Sequence, residues 1–193
     1  MTKKILWIAS YPKSGNTWMR SILTSLFFTK NGKFSFDLLK LISIFENTER
    51  FEFVKEINKN DYDSLNKLEI ISKYWIESQK RIEIDGDFIF LKTHHSCITY
   101  GNNPFTALNK IMGVIYLIRD PRDVAISYSK HMGKNIDDTI RIMKKKGTKN
   151  FYASPFKEKR NKFPALISSW DENIETWTNL KVPQIVIRYE DLL

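Results

Sequence analysis

Short apolar runs alternate with longer amphipathic ones along this chain. Ile5-Leu6-Trp7-Ile8-Ala9 is an apolar run of β type, and Trp18, Ile22, Leu23, Leu26 and Phe27 then recur at helical spacing. A helix is expected from about Thr17 to Phe28, ended by Asn31-Gly32. The next stretch is rich in Phe, Leu and Ile; it predicts a short helix over Asp37 to Phe45 and a loop around Asn47 to Arg50. Leu65, Leu68, Ile71, Tyr74, Trp75 and Ile76 predict a helix over Asp61 to Arg81. Further strands are expected at Phe88–Leu91, Val114–Ile118 and Gln184–Arg188. Asn103-Pro104 and Asp120-Pro121 each read as a helix start, with a capping side chain followed by Pro. The second of these helices runs to about His131. Asn135 is expected to cap a helix to Lys146, and another covers Pro164 to Leu180. Gly147 to Phe163, basic and poor in aliphatics, is expected to be an exposed excursion.

Strands alternate with helices, and no hairpin signal joins neighbouring strands. This order predicts an α/β fold, a parallel sheet with helices on both faces. Ligands in such sheets bind beyond the carboxyl ends of the strands. The polar clusters of the sequence fall at those ends: Lys13 to Thr17, Lys92 to His95, Arg119 to Asp123, and Tyr189 to Asp191.

With 193 residues, 42% hydrophobic, the chain has the size and apolar content of one globular domain. Its net charge of +9 points to anionic partners, nucleic acid or a phosphorylated nucleotide among them. The lysine clusters at 144–146 and 157–162 are by themselves the sign of a solvated face. A single cysteine, Cys97, rules out an internal disulfide framework and fits a reducing, cytoplasmic setting. No apolar stretch is long enough to span a bilayer. No Cys/His cluster or acidic Mg²⁺ site of Walker type is present, so no metal is expected.

The candidate chemistry centres on Ser10-Tyr11-Pro12-Lys13-Ser14-Gly15-Asn16-Thr17-Trp18. A strand, a small-residue turn and a helix start form an anion cradle, because the first helical N–H groups lack intrahelical partners. Lys13 adds a full positive charge, and Ser14, Asn16 and Thr17 add short polar side chains. The Walker pattern is not met, since Lys13 precedes Gly15. Trp18 offers a flat ring on which a base can stack.

Tyr-Pro-Lys-Ser-Gly-Asn-Thr-Trp resembles the 5′-phosphosulfate loop of sulfotransferases that use 3′-phosphoadenosine 5′-phosphosulfate (PAPS), with Asn16 where the family more often has Thr. Lys92-Thr93-His94 is similar to that family's K-T-H segment, whose His is the base, which assigns the role to His94. Arg119-Asp120-Pro121-Arg122-Asp123-Val124-Ala125-Ile126-Ser127 resembles its 3′-phosphate segment; Arg119 and Ser127 carry over. Tyr189-Glu190-Asp191-Leu192 is similar to its Y-E-D-L segment, with Tyr189 near the adenine. Trp170 and Trp177 are expected in the packing.

The resemblance implies a P-loop-NTPase-like α/β/α fold and sulfuryl transfer from PAPS to a hydroxyl or amine of a small acceptor. The implied nucleotide-binding residues are Lys13, Ser14, Gly15, Asn16, Thr17, Trp18, Arg119, Ser127 and Tyr189. Lys13, Lys92 and His94 are the implied catalytic residues, with Lys13 meeting charge on the leaving oxygen. The family continues beyond the position of Leu193 with a basic R-K-G loop, so one domain lacking its C-terminal part is expected. A P-loop kinase using ATP and a non-catalytic polyanion binder are the competing classes. The kinase leaves K-T-H and Arg119/Ser127 unexplained. The acceptor and the oligomeric state stay open.

Overall fold

The computed structural model describes residues 4–57, 68–82, 86–150 and 162–192. Its centre is a five-stranded parallel sheet built from β1 (Lys4–Ser10), β2 (Ser43–Ile44), β3 (Phe88–Thr93), β6 (Ile111–Ile118) and β9 (Gln184–Arg188), in the order β2-β3-β1-β6-β9. β1 lies in the middle, with Trp7 opposite Leu91 on β3 and Val114 on β6. Chain order reverses beside β1, as two successive strands go to one side of it and the next two to the other. The crevice at the strand tips there is where open α/β sheets bind ligands.

Both faces of β1 are covered, which is why its sequence is continuously apolar rather than alternating. Ile5, Trp7 and Ala9 enter one core with Leu68, Trp75, Phe105 and Trp177. Ile8 enters the other with Met19 and Leu23 of α1 (Asn16–Phe28). Trp7 is fully buried, its ring centroid 5.5 Å from Phe45, 5.3 Å from Phe105 and 5.8 Å from Trp177. Such aromatic pairs add about 0.5–1.5 kcal/mol each beyond the area they bury.

The expected helix over Asp61 to Arg81 is broken. Its described part is α2 (Leu68–Ile71), a 3₁₀ turn over Ser72–Tyr74 and α3 (Trp75–Lys80); 61–67 lie outside the described residues. Buried Ser72 turns its hydroxyl back to the Glu69 carbonyl at 3.3 Å, a bond that competes with regular helix. The expected helix over Asp37 to Phe45 is a 3₁₀ turn at Phe36–Leu41 followed by β2, and Thr48–Phe51 is a further 3₁₀ turn. β2 pairs with β3, Ile44 opposite Lys92.

Asn103-Pro104 starts no helix. It is β5, an antiparallel partner of β4 (Thr99–Tyr100), joined to it through Gly101 at φ 58. The Asn103 amide donates to Ser72 Oγ at 3.2 Å instead of capping. A hairpin therefore does occur outside the main sheet.

Asp120-Pro121 behaves as expected: α4 (Pro121–Met132) is capped by the Asp120 carboxylate, which accepts from Arg122 N at 2.9 Å. Asn135 caps α5 (Ile136–Lys144). The helix expected from Pro164 begins only at Trp170, as α6 (Trp170–Thr178). Before it, β8 (Ala165–Leu166) pairs antiparallel with β7 (Lys149–Asn150), and Ser168 is left-handed at φ 56. The excursion expected at Gly147 to Phe163 falls mostly outside the described residues, 151–161. Its far end is not exposed, since Phe163 is buried against Phe51. Among the described residues no helix is long and apolar enough to cross a membrane.

Candidate active site

The turn after β1 is held by two left-handed residues, Lys13 at φ 68 and Gly15 at φ 92. Gly15 has a second constraint. A Cβ built on it would lie 2.3 Å from Cδ2 of Tyr189, so only hydrogen fits beneath that ring. The Asn16 amide reaches back to β1, donating to the Ile8 carbonyl at 3.2 Å and to Ser10 Oγ at 3.1 Å. That side chain anchors the turn to the strand. α1 starts at this point with no side chain capping its first turn, so the uncapped N–H groups and the positive end of the helix dipole are available to an anion. The Ser14 hydroxyl is buried and has no hydrogen-bond partner, an unmet polar group inside the turn.

A cavity of about 560 Å³ opens over these strand tips. Pro12, Lys13, Gly15, Asn16, Thr17 and Trp18 form one wall, Lys92 and His94 another, and Arg119, Ser127, His131 and Tyr189 a third; Arg20, Ile44 and Lys162 complete it. Five of these residues are cationic and none is a carboxylate. A site with that balance, floored by a helix N-terminus, selects an anion of several charges.

Arg119 sits at the tip of β6, with Nη1 donating to the Lys13 carbonyl at 3.1 Å and Nη2 4.0 Å from Asp123. Its guanidinium stacks on the Tyr189 ring, 4.3 Å from the centroid, while its buried Nε has no hydrogen-bond partner. Tyr189 thus covers both Gly15 and Arg119, tying the tip of β9 to the turn. Glu190 supports the arrangement by accepting from Asp120 N at 2.9 Å. Trp18 is half exposed, and its Nε1 donates to the Leu192 carbonyl at 3.2 Å.

At the tip of β3, His94 and His95 diverge. His95 is buried, stacked on Phe105 at 4.8 Å, with Nδ1 accepting from Leu166 N at 3.0 Å. His94 lines the cavity, and its Nδ1 lies 2.8 Å from the Ser10 carbonyl. A carbonyl only accepts, so Nδ1 carries the proton and Nε2 is left with its lone pair. Burial, reinforced by the charge of Lys92, holds the imidazole down to about 3, so it is neutral at pH 7. A neutral ring with a fixed tautomer can accept a proton from a hydroxyl.

Behind this wall lies Glu46, just past β2 and 1% exposed. Its Oε1 accepts from Thr93 Oγ1 at 2.7 Å and from His94 N at 2.9 Å; Oε2 is 3.9 Å from Lys92 Nζ. Burial alone would raise this carboxyl, but the Lys92 charge and the hydrogen bond from His94 N hold it below the ordinary carboxylate range. Burial lowers Lys92, as do Lys162 and Arg20, while Glu46 opposes them; the outcome is about 8.

The structure gathers Lys13, Gly15, Asn16, Thr17, Trp18, Lys92, His94, Arg119, Ser127 and Tyr189 around one cavity, with Ser14 buried in the turn beneath it. Arg20, Glu46, His131 and Lys162 also belong to the region and were not expected from sequence. Only His131 carried a signal: it lies four residues after Ser127, on the same helical face. Cys97 takes no part; burial pushes its thiol up to about 12. Among the described residues, no group of His, Cys, Asp and Glu could hold a metal ion.

A parallel sheet whose central strand runs through an anion-accepting turn into a helix, with a strand-tip histidine and an arginine around one cavity, has the form of an α/β protein with a P-loop-like fold. The chain belongs to the sulfotransferase domain family, whose model matches residues 3–193. Among solved structures it is similar to a mouse sulfotransferase, SULT7A1, complexed with PAP, with 21% identity and a TM-score of 0.52. That match covers 100% of this chain and 52% of the other. It is also similar to a retinol dehydratase in a complex with retinol and PAP, at 17% identity and a TM-score of 0.53, covering 99% and 56% of the two chains. This chain therefore spans about half the length of those proteins, and the likeness is one of fold. No curated protein matches it in sequence.

Proposed function

We propose that this protein transfers a sulfuryl group from PAPS to a hydroxyl or amine of a small acceptor, in the cytoplasm and without a metal. The observation that carries this reading is the bridge from Arg119 to the Lys13 carbonyl. It holds the Arg119 guanidinium beside the turn after β1, which supports a reading in which one nucleotide engages both through two separate phosphates. The unpartnered Ser14 hydroxyl and the unpartnered Arg119 Nε fit such a ligand. Lys13, Ser14, Gly15, Asn16 and Thr17 would hold the 5′-phosphate, and Arg119 and Ser127 the 3′-phosphate. Trp18 and Tyr189 would flank the base.

When bound, PAPS supplies a sulfuryl group activated by its anhydride link to the 5′-phosphate. The protein positions the acceptor oxygen and stabilises charge. His94 Nε2 takes the acceptor proton, while Nδ1–H stays on the Ser10 carbonyl and keeps the ring in place. Lys13 and Lys92 offset negative charge at the leaving and transferred groups. A kinase reading has no use for Arg119 and Ser127, and a polyanion binder has none for His94. Incubation with ³⁵S-labelled PAPS and a panel of phenols, alcohols and amines tests the proposal: labelled ester or amide is expected, and label transferred only from γ-³²P-ATP would refute it.

A further inference from the structure

Glu46 is a charged side chain buried in the turn just past β2, 1% exposed. Replacing a buried ion pair by apolar side chains is often neutral or stabilising, so stability does not by itself account for it. Its two oxygens make different contacts. Oε1 is satisfied by Thr93 and by the main chain of His94, while Oε2 has no hydrogen bond and faces the Lys92 ammonium at 3.9 Å. That distance is too long for a hydrogen bond but well inside the range of a strong Coulombic interaction in a buried site. The carboxylate is brought there by β2, whose pairing with β3 puts Ile44 opposite Lys92, and Phe45 N donates to the Lys92 carbonyl at 2.8 Å.

We infer that Glu46 is a positioning residue for sulfuryl transfer: one oxygen fixes the backbone that carries His94, and the other keeps the Lys92 side chain cationic and in place. This rests on the function proposed above. Lys92 shares its surroundings with Lys162 and Arg20, and both repel its charge. A neutral Lys92 would offer the transferred group no electrostatic stabilisation. Glu46 is the carboxylate that opposes this loss, and it does so from behind the wall, out of reach of the reacting atoms. The alkaline limit of turnover is then set by the Lys92–Glu46 pair.

Glu46→Gln is the informative change, because Gln keeps an acceptor for Thr93 and His94 but removes the charge. In E46Q the alkaline limb of kcat should move at least one pH unit lower, and kcat at pH 8 should fall about fivefold or more. Affinity for adenosine 3′,5′-bisphosphate should stay within about threefold of the unsubstituted protein. Glu46→Asp, which withdraws the charge by one methylene, should lie between. A merely structural Glu46 would leave the limb in place and lower nucleotide affinity with kcat; that result overturns the inference. Labelling of Lys92 with acetic anhydride as a function of pH gives a readout independent of turnover. The labelling midpoint should fall from the unsubstituted protein to E46D to E46Q. If E46Q does not fold, the E46D comparison decides: a lower midpoint supports the inference, an equal one refutes it. If the unsubstituted protein transfers no sulfuryl group, the functional proposal fails, and the labelling midpoints still judge the coupling of Lys92 to Glu46.

Discussion

Gly15→Ala is the smallest change that disturbs the site at its most crowded point. The added Cβ would stand 2.3 Å from Tyr189 Cδ2 and 3.0 Å from Cε2, contacts that carbon atoms do not sustain, and the residue keeps φ 92. Left-handed backbone costs a non-glycine residue roughly 1–2 kcal/mol. The Tyr189 ring must move as well, and it lies 4.3 Å from the Arg119 guanidinium. Losing that cation–π contact costs about 0.5–2 kcal/mol. The expected destabilisation is therefore roughly 1.5–4 kcal/mol. Gly133→Ala separates the two contributions, because Gly133 is also left-handed, at φ 64, but has nothing within 4 Å of a new Cβ. Urea unfolding should show G133A losing only the backbone part, with nucleotide affinity unchanged. G15A should lose both parts, and titration with adenosine 3′,5′-bisphosphate should show affinity reduced at least about tenfold, a displaced Arg119 being worth 1.4 kcal/mol or more. A G15A protein that binds the bisphosphate as tightly as the unsubstituted one would refute the role given to Tyr189 and to the turn.

Three other outcomes are expected. His94→Gln should lower kcat by about a hundredfold to ten-thousandfold with bisphosphate affinity retained, read by steady-state kinetics and calorimetry. Near-native turnover in H94Q would remove His94 as the base. Arg119→Lys keeps a charge but loses the planar fork and the stacking on Tyr189, so it should weaken adenosine 3′,5′-bisphosphate at least about tenfold and leave adenosine 5′-phosphate nearly unchanged. Stability should fall on acidification from pH 6.5 toward 4. His95, buried and brought down to about 4, stays neutral in the folded chain while the unfolded chain binds the proton. The sign follows from a lowered histidine: stability is full above pH 6.5 and declines below it, by roughly 2 kcal/mol from His95 between pH 7 and 5, with a further loss of the same sign from His94. A flat unfolding midpoint across that range, or one that rises, would contradict this.

The strands β1, β3, β6 and β9 are legible because each is an apolar run ending in a polar cluster, and the cluster positions already mark the ligand side of the sheet. α4 is legible because Asp120 and Pro121 act locally, through a cap and a fixed φ. The same signature fails at Asn103-Pro104, where tertiary contacts win: Asn103 bonds to Ser72, Phe105 is drawn into the core, and the segment pairs with Thr99–Tyr100. β2 is two residues long, too short for any periodicity, and only its pairing with β3 defines it. Glu46 was invisible for that reason, since nothing local distinguishes it from a surface carboxylate. Arg20 looked like the polar face of an amphipathic helix, yet its guanidinium is buried and donates to the carbonyls of Leu39 and, at 3.0 Å, Ile42. The start of α6 at Trp170 follows from Leu166, whose N–H and carbonyl are engaged by His95 and Ser96 across the core. Residues distant in sequence set that boundary.

The central claim is that one cavity seats a nucleotide by two separate phosphates, one at the turn after β1 and one at Arg119. Calorimetric titration of the purified chain with adenosine 3′,5′-bisphosphate, adenosine 5′-phosphate and ATP tests it most directly. The bisphosphate should bind at least about a hundredfold more tightly than adenosine 5′-phosphate, the second phosphate contributing roughly 3 kcal/mol through charge-assisted bonds. Equal affinity for the two, or tighter binding of ATP, would contradict it.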